Sequence, residues 1–257
     1  LLLTTILAIV AGLVVGAGTA LLAETIMAHR RMKAPVCPYC QTPYERFQWS
    51  VTLAFLLARF RCRECNRPLR LARLAGELLL AATWGMVVAR YGLNGRVIYA
   101  MLAVIPLQMV TVTDLETRLI PNHIILPATL LLAVIGLFFG GALPQITAWK
   151  WTDTLLGGLI GFGVFWVLVI LGEAVFGDGA LGHGDIKLAA YIGLLVGFPW
   201  IIPALILGIL FGGVGGVFIL LAGRGTLRTA IPYGPYLVLG GLTTLIWGVE
   251  ITTWFLR

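Results

Sequence analysis

Leu1-Leu-Leu-Thr-Thr-Ile-Leu-Ala-Ile-Val-Ala-Gly-Leu-Val-Val-Gly-Ala-Gly-Thr-Ala-Leu-Leu-Ala23 carries no charged side chain along its whole length. A helix needs roughly 20 apolar residues to cross the hydrocarbon core, so this stretch reads as a membrane span. It is too long and too uninterrupted for the apolar core of a signal peptide, and no Ala-x-Ala-like site closes it. It is therefore expected to be retained. The rest of the 257 residues repeat the theme: 60% of the chain is hydrophobic, 11% is charged, and the mean hydropathy is +0.98. Soluble domains carry about 25% charged residues. The expected fold is an all-α polytopic membrane protein of about eight transmembrane helices. Candidate spans lie near 1–23, 71–90, 97–113, 123–143, 154–176, 186–200, 201–222 and 233–256. The sixth and seventh run together through Gly197-Phe-Pro199-Trp200, a tight interfacial turn. Glycines such as Gly157, Gly161, Gly208 and Gly212 suit close approach of helix backbones in lipid.

The chain divides into a first helix (1–23), a polar loop domain (24–70) and a transmembrane domain (71–257). Ten of the 18 Lys and Arg fall between Arg30 and Arg73, which marks that segment as cytoplasmic. Threading eight spans from it places Arg118, Lys187, Arg224 and Arg228 on the same side. Only Arg90, Arg96, Lys150 and Arg257 fall outside. The net charge of +7 is thus accounted for by loop asymmetry and anionic headgroups. No basic stripe interleaved with aromatics points to nucleic acid. Trp149, Trp151 and Trp200 fit an interfacial aromatic belt. Within the polar loop, Phe47 to Phe60 is apolar enough to lie on the membrane or pack on the helices.

That loop holds all four cysteines, as Cys37-Pro-Tyr-Cys40 and Cys62-Arg-Glu-Cys65. Two C-x-x-C pairs at this separation read as a tetrathiolate zinc site. Four soft ligands close the coordination sphere, so the metal is structural, with no open position for water. Disulfides are disfavoured in a reducing cytoplasmic loop. A redox C-x-x-C would come singly, with a strand–helix pattern around it.

Two carboxylates sit at the ends of apolar runs, in Val-Thr-Asp114-Leu-Glu-Thr-Arg-Leu-Ile-Pro121-Asn122 and in Gly182-His-Gly184-Asp185-Ile-Lys187-Leu. A membrane-level carboxylate is costly unless it faces water or protein. The threading that places the basic loops inside also puts Asp114 and Asp185 on the cytoplasmic face. Two like charges a few ångströms apart cannot both ionise near neutral pH, so such a pair prepares its own acid and base. Gly182 and Gly184 would let the backbone approach an extended substrate. The plainer alternative is that each Asp is a helix cap or a headgroup-level charge.

These motifs resemble those of the bacterial type IV prepilin peptidases, membrane aspartic proteases of the G-x-G-D kind with presenilin as a distant mechanistic relative. The resemblance rests on Asp114 with Ile120-Pro121-Asn122 behind it, on Gly182-His-Gly184-Asp185-Ile-Lys187-Leu-Ala, on Ile231-Pro-Tyr-Gly234-Pro235-Tyr and on the two cysteine pairs. It implies cleavage of the basic leader of prepilins and pseudopilins at the cytoplasmic face of the inner membrane. Asp114 and Asp185 would be the catalytic pair and Cys37, Cys40, Cys62 and Cys65 the zinc ligands. Many members of the family then methylate the new N-terminal amine with S-adenosylmethionine. Two departures fall in the part linked to methyl transfer. Gly16-Ala-Gly18-Thr-Ala-Leu-Leu-Ala-Glu24 stands for a Gly-Ser-Phe-Leu-Asn-like stretch, and Gln48-Trp49-Ser50-Val51 for an acidic-Asn-Ile-Pro stretch. No G-x-G-x-x-G loop marks a methyl-donor site.

Of the remaining charges, Glu77 is expected to pair with Arg73 one turn earlier. Glu173 and Asp178 flank the glycine loop and could attract a basic leader, His183 needs no catalytic role, and Lys187 is expected to meet a lipid headgroup. Competing readings are a leader peptidase without methyl transfer, and a zinc-stapled assembly factor or transporter whose carboxylates bind protons or cations.

Overall fold

A computed structural model describes residues 1–27, 36–37, 39–57, 60–143, 150–177, 182–223 and 232–255. Arg30, Trp149, Asp178, Arg224, Arg228, Ile231 and Arg257, used in the sequence reading, lie outside them. The described residues fold into α1 (Leu2–Met27), a short α2 (Val51–Leu56), α3 (Leu71–Tyr91), α4 (Gly95–Thr117), α5 (Asn122–Phe139), α6 (Trp151–Phe176), α7 (His183–Val196), α8 (Ile201–Leu221) and α9 (Gly234–Phe255). Seven of these are long and apolar enough to cross a membrane. They bury only part of their surface inside the protein and turn residues such as Leu130, Phe138, Val14 and Leu221 outward, as a multi-pass membrane protein requires.

The sixth expected span, 186–200, forms α7, which has only 14 residues, about 21 Å of helix. Ten of its residues, from Asp185 to Val196, are buried. It packs on α5, α6, α8 and α9, so it is the interior rod of the bundle and needs no lipid-facing length. Glycines explain its fit. A methyl at Gly193 would lie 2.1 Å from the Gly157 carbonyl oxygen, and one at Gly161 would lie 2.3 Å from that of Ala189. Backbones this close, in α6 and α7, leave no room for side chains.

Helix ends follow local chemistry. Gly92 stops α3 at a φ of +67°, a conformation that costs an L side chain energy but not glycine. Asn94 then opens α4 by accepting a hydrogen bond from the N–H of Val97 at 3.0 Å. α4 closes at Arg118, whose left-handed N–H reaches back to the Asp114 carbonyl at 2.9 Å. Pro121 cannot continue that helix and stands instead before α5. The largest packed pairs are α1 with α3, α6 with α7, and α8 with α9.

Candidate active site and thiolate cluster

Asp114 begins the last turn of α4, and Asp185 is the third residue of α7; both side chains are buried, at 5% and 6% exposure. The structure brings the two stretches together: Gly184, next to Asp185, packs on Ile120, six residues past Asp114. The backbone N–H of Gly234, at the start of α9, donates to Asp114 Oδ2 at 2.9 Å. An unsatisfied N–H at a helix N-terminus is a natural holder of an anion. A methyl at position 234 would fall 2.8 Å from that same oxygen, so only glycine lets the carboxylate sit there.

The glycines of the Gly182-His-Gly184-Asp185 stretch have internal tasks of the same kind. A methyl at Gly182 would approach Asp185 Oδ2 to 3.1 Å, and one at Gly184 would meet Ile120 Cβ at 2.9 Å. Gly184 thereby lets the start of α7 close onto the segment behind Asp114. Lys187 completes the closure: its Nζ donates to Asn122 Oδ1 at 2.6 Å, tying α7 to the first residue of α5. The sequence reading gave Lys187 to a headgroup; a protein partner two residues past Ile120 takes its place. His183 faces Glu173, with Nε2 and Oε1 3.8 Å apart.

Tyr233 stands beside the pair, its ring 5.9 Å from that of Phe165. Burial, and after it the charge of Asp185, push its hydroxyl up to about 12, so it keeps its proton throughout the working range. Neither Tyr233 nor the Gly234 N–H could be assigned a role from residue spacing. Only the resemblance carried by Pro232-Tyr-Gly-Pro235 marked that stretch.

The four cysteines converge. Their sulfurs all lie within 4.8 Å of one another, with Cys37 to Cys65 and Cys40 to Cys62 at 3.6 Å. Zinc–sulfur bonds of about 2.3 Å in a tetrahedron set sulfurs about 3.8 Å apart, so the cluster fits such an ion. The two knuckles are built alike. In the first, Cys37 N–H bonds the Thr42 carbonyl and Gln41 N–H returns to Cys37. In the second, Cys62 N–H bonds Arg67 and Asn66 N–H returns to Cys62. Gln41 and Asn66 both take positive φ, 62° and 54°, at matching places. The Thr42 hydroxyl, with its backbone N–H, holds the Cys40 thiol down to about 6, which favours the thiolate a metal needs.

A group of charges joins this stretch to the helices. Arg70, at the head of α3, pairs with Glu116 of α4 and lies 3.9 Å from Glu24 of α1. Arg73 donates to the Trp49 carbonyl at 2.5 Å and has its Nε 3.7 Å from Glu24. The expected Glu77–Arg73 pair does not form. Glu77 is fully buried and accepts from Ser50 Oγ at 2.8 Å, Val51 N at 2.8 Å and Thr52 N at 2.9 Å. Three donors at the start of α2, whose first N–H groups have no partner within the helix, satisfy the carboxylate, while the buried Arg73 is taken up by the Trp49 carbonyl.

Two sequence profiles match the chain. That of the type IV leader peptidase family covers residues 101–217, and that of the bacterial peptidase A24 N-terminal domain covers 10–91. A relative from Aeromonas hydrophila named prepilin leader peptidase/N-methyltransferase is 30% identical over 222 residues, 86% of this chain and 73% of its own. One of the same name from Aeromonas salmonicida (strain A449) is 32% identical over 224 residues, with the same coverage. A third, from Bacillus subtilis (strain 168), is 27% identical over 228 residues and 84% of its own length is covered. No solved structure matches. With profiles covering both the N-terminal region and the helices that carry the two aspartates, and relatives aligned over most of both lengths, this chain belongs to the type IV leader peptidase family.

Proposed function

We propose that this protein is a prepilin leader peptidase in which Asp114 and Asp185 form the catalytic pair. The observation that carries the reading is the closure of the start of α7, with buried Asp185, onto the segment behind buried Asp114, through Gly184 on Ile120 and Lys187 on Asn122, with Asp114 itself held by the Gly234 N–H. In a buried setting two such groups hold one proton between them, and acid and base belong to the pair rather than to either residue. The ionised carboxylate takes a proton from a water, whose oxygen bonds the scissile carbonyl carbon. The protonated carboxyl gives its proton to the carbonyl oxygen. Collapse of the tetrahedral adduct breaks the C–N bond, and the nitrogen leaves with a proton as the new N-terminal amine. Family membership and the names of the relatives support prepilins and pseudopilins as substrates.

The same names support a second activity, N-methylation of the freed amine, with S-adenosylmethionine as donor. Gly16 and Thr19, in the first departure from the family pattern, are used for packing. Gly16 leaves 3.1 Å between its missing methyl and Glu77 Cα, and the Thr19 hydroxyl donates to Gln108 Oε1 at 2.8 Å. Cys37, Cys40, Cys62 and Cys65 would hold a structural zinc, which supplies a cross-link between the two knuckles. The Lys and Arg asymmetry supports a location of the knuckles and both aspartates at the cytoplasmic face of the inner membrane.

The test is incubation of the purified protein in detergent with a prepilin and labelled S-adenosylmethionine, followed by mass spectrometry. Release of the leader establishes the peptidase, and label on the mature N-terminus establishes the methyltransferase. An intact protein that cleaves none of several prepilins would refute the reading and favour the transport or assembly alternative.

A further inference from the structure

The depth of α2 in the bundle is fixed by contacts on two sides. Its N-terminus is bonded to the Glu77 carboxylate through Ser50, Val51 and Thr52. On α1, Gly16 lies against Glu77, 3.1 Å from a would-be methyl to Cα. On α4, Val112 lies against Gly76, with 2.4 Å from a would-be methyl to its Cγ2. Val112 precedes Asp114 by two residues, about 3 Å along the helix. Glu77 is also six residues, about 9 Å, inside the start of α3 at Leu71. α1 continues eleven residues, about 16 Å, past Gly16 to Met27. The N-terminus of α2 therefore lies level with Val112, close to Asp114 on α4, and about 9 Å along α3 from its first residue.

At that depth α2 shows an apolar outer face. Val51 and Ala54 turn inward, while Leu53, Phe55, Leu56 and the following Leu57 are 45%, 55%, 74% and 52% exposed. The apolar exposure continues onto α3, where Leu78, next to Glu77, is 48% exposed on a membrane-crossing helix. Arg61 and Arg67, on the same polar stretch, are exposed and match anionic headgroups in charge. A short helix with an apolar face at the bilayer boundary and basic residues around it is what an interfacial segment requires.

We propose that α2 is an interfacial helix sunk into the leaflet on the knuckle side, with Leu53, Phe55, Leu56 and Leu57 against lipid acyl chains. The thiolate cluster is then a membrane-seated element, fixed to the bilayer as well as to the helices. The inference depends on the spans and not on the substrate.

The experiment places a nitroxide on Leu56→Cys in the zinc-loaded protein, whose metal-bound thiolates are shielded from the label. The protein is reconstituted in vesicles of phosphatidylglycerol and phosphatidylethanolamine. Labels at Leu130→Cys, on the outer face of α5, and at Arg46→Cys serve as lipid and aqueous references. The expected result is that the Leu56 label is relaxed by oxygen like the Leu130 label, and is at least about tenfold less accessible to a water-soluble nickel chelate than the Arg46 label. Equal nickel access at 56 and 46 would overturn the proposal. So would a label reached by neither reagent, which would mean that protein covers this face. Zinc content near one per chain and unchanged prepilin cleavage confirm that each labelled protein is native.

Discussion

Gly234 is the residue on which the pair depends most narrowly. Its N–H holds Asp114 Oδ2 at 2.9 Å, and a methyl there would sit 2.8 Å from that oxygen. Gly234→Ala is expected to shift the carboxylate and lower prepilin cleavage about 10–100-fold, since misplacement by an ångström can cost that much. Thermal unfolding should stay near wild type; unchanged cleavage would show that the contact is idle. Glu77 offers a second check at this scale. Glu77→Gln keeps the shape but removes the charge that three donors share, a loss of about 1.5–3 kcal/mol for hydrogen bonds to a charged group. Limited proteolysis should then cut the 46–57 region faster, with the transmembrane fragment unaffected. Asp114 and Asp185 were legible in the sequence because a carboxylate at the end of an apolar run demands a reason. The Glu77 contacts were not. The i, i+4 rule favours Arg73, and the true donors are one hydroxyl and two backbone N–H groups 25 to 27 residues away. Gly234 was hidden for the same cause: a main-chain N–H 120 residues from Asp114 leaves no trace in side-chain chemistry.

Among the elements, the two knuckles repeat one design. Each closes on a positive-φ residue, Gln41 or Asn66, and is flanked by a paired proline, Pro43 with Val36 and Pro68 with Arg61. Tyr44, Val51, Ala54 and Leu69 pack with the cysteines in a small apolar cluster, to which a metal cross-link between the knuckles would add. Purified protein should contain about one zinc per chain by metal analysis. Cys62→Ser, or removal of the metal by chelator, should make residues 36–70 protease-sensitive. A zinc-free protein with a resistant loop would contradict this. The C-x-x-C spacing made the knuckles readable at once, and hydrophobic run lengths located the helices within a few residues. What run lengths could not convey is that α7 is interior. A buried helix and a membrane span have the same composition, and only the mutual fit of Gly157, Gly161 and Gly193 shows that α7 lies against another backbone.

Across the whole molecule, the knuckle stretch and the aspartates are joined by Arg70, which bridges Glu24 of α1 and Glu116, two residues beyond Asp114. Arg70→Glu should loosen this junction and reduce both melting temperature and cleavage. The double change Arg70→Glu with Glu116→Arg should recover part of both, and failure to recover would show that the pair is incidental. The pair Asp114–Asp185 is itself a property of the assembled bundle, since the start of α7 is held beside the end of α4 through Ile120 and Asn122 and Asp114 is held by the start of α9. The central claim is that these two carboxylates act as one catalytic unit, and the most direct measurement is the rate of prepilin cleavage by Asp114→Asn, Asp185→Asn and the double variant, each checked for folding by zinc content. Each single change is expected to lower the rate by at least about 1,000-fold, with the double change no worse than either single one, as for residues that act together. A single variant that retained a tenth of the wild-type rate would contradict the account.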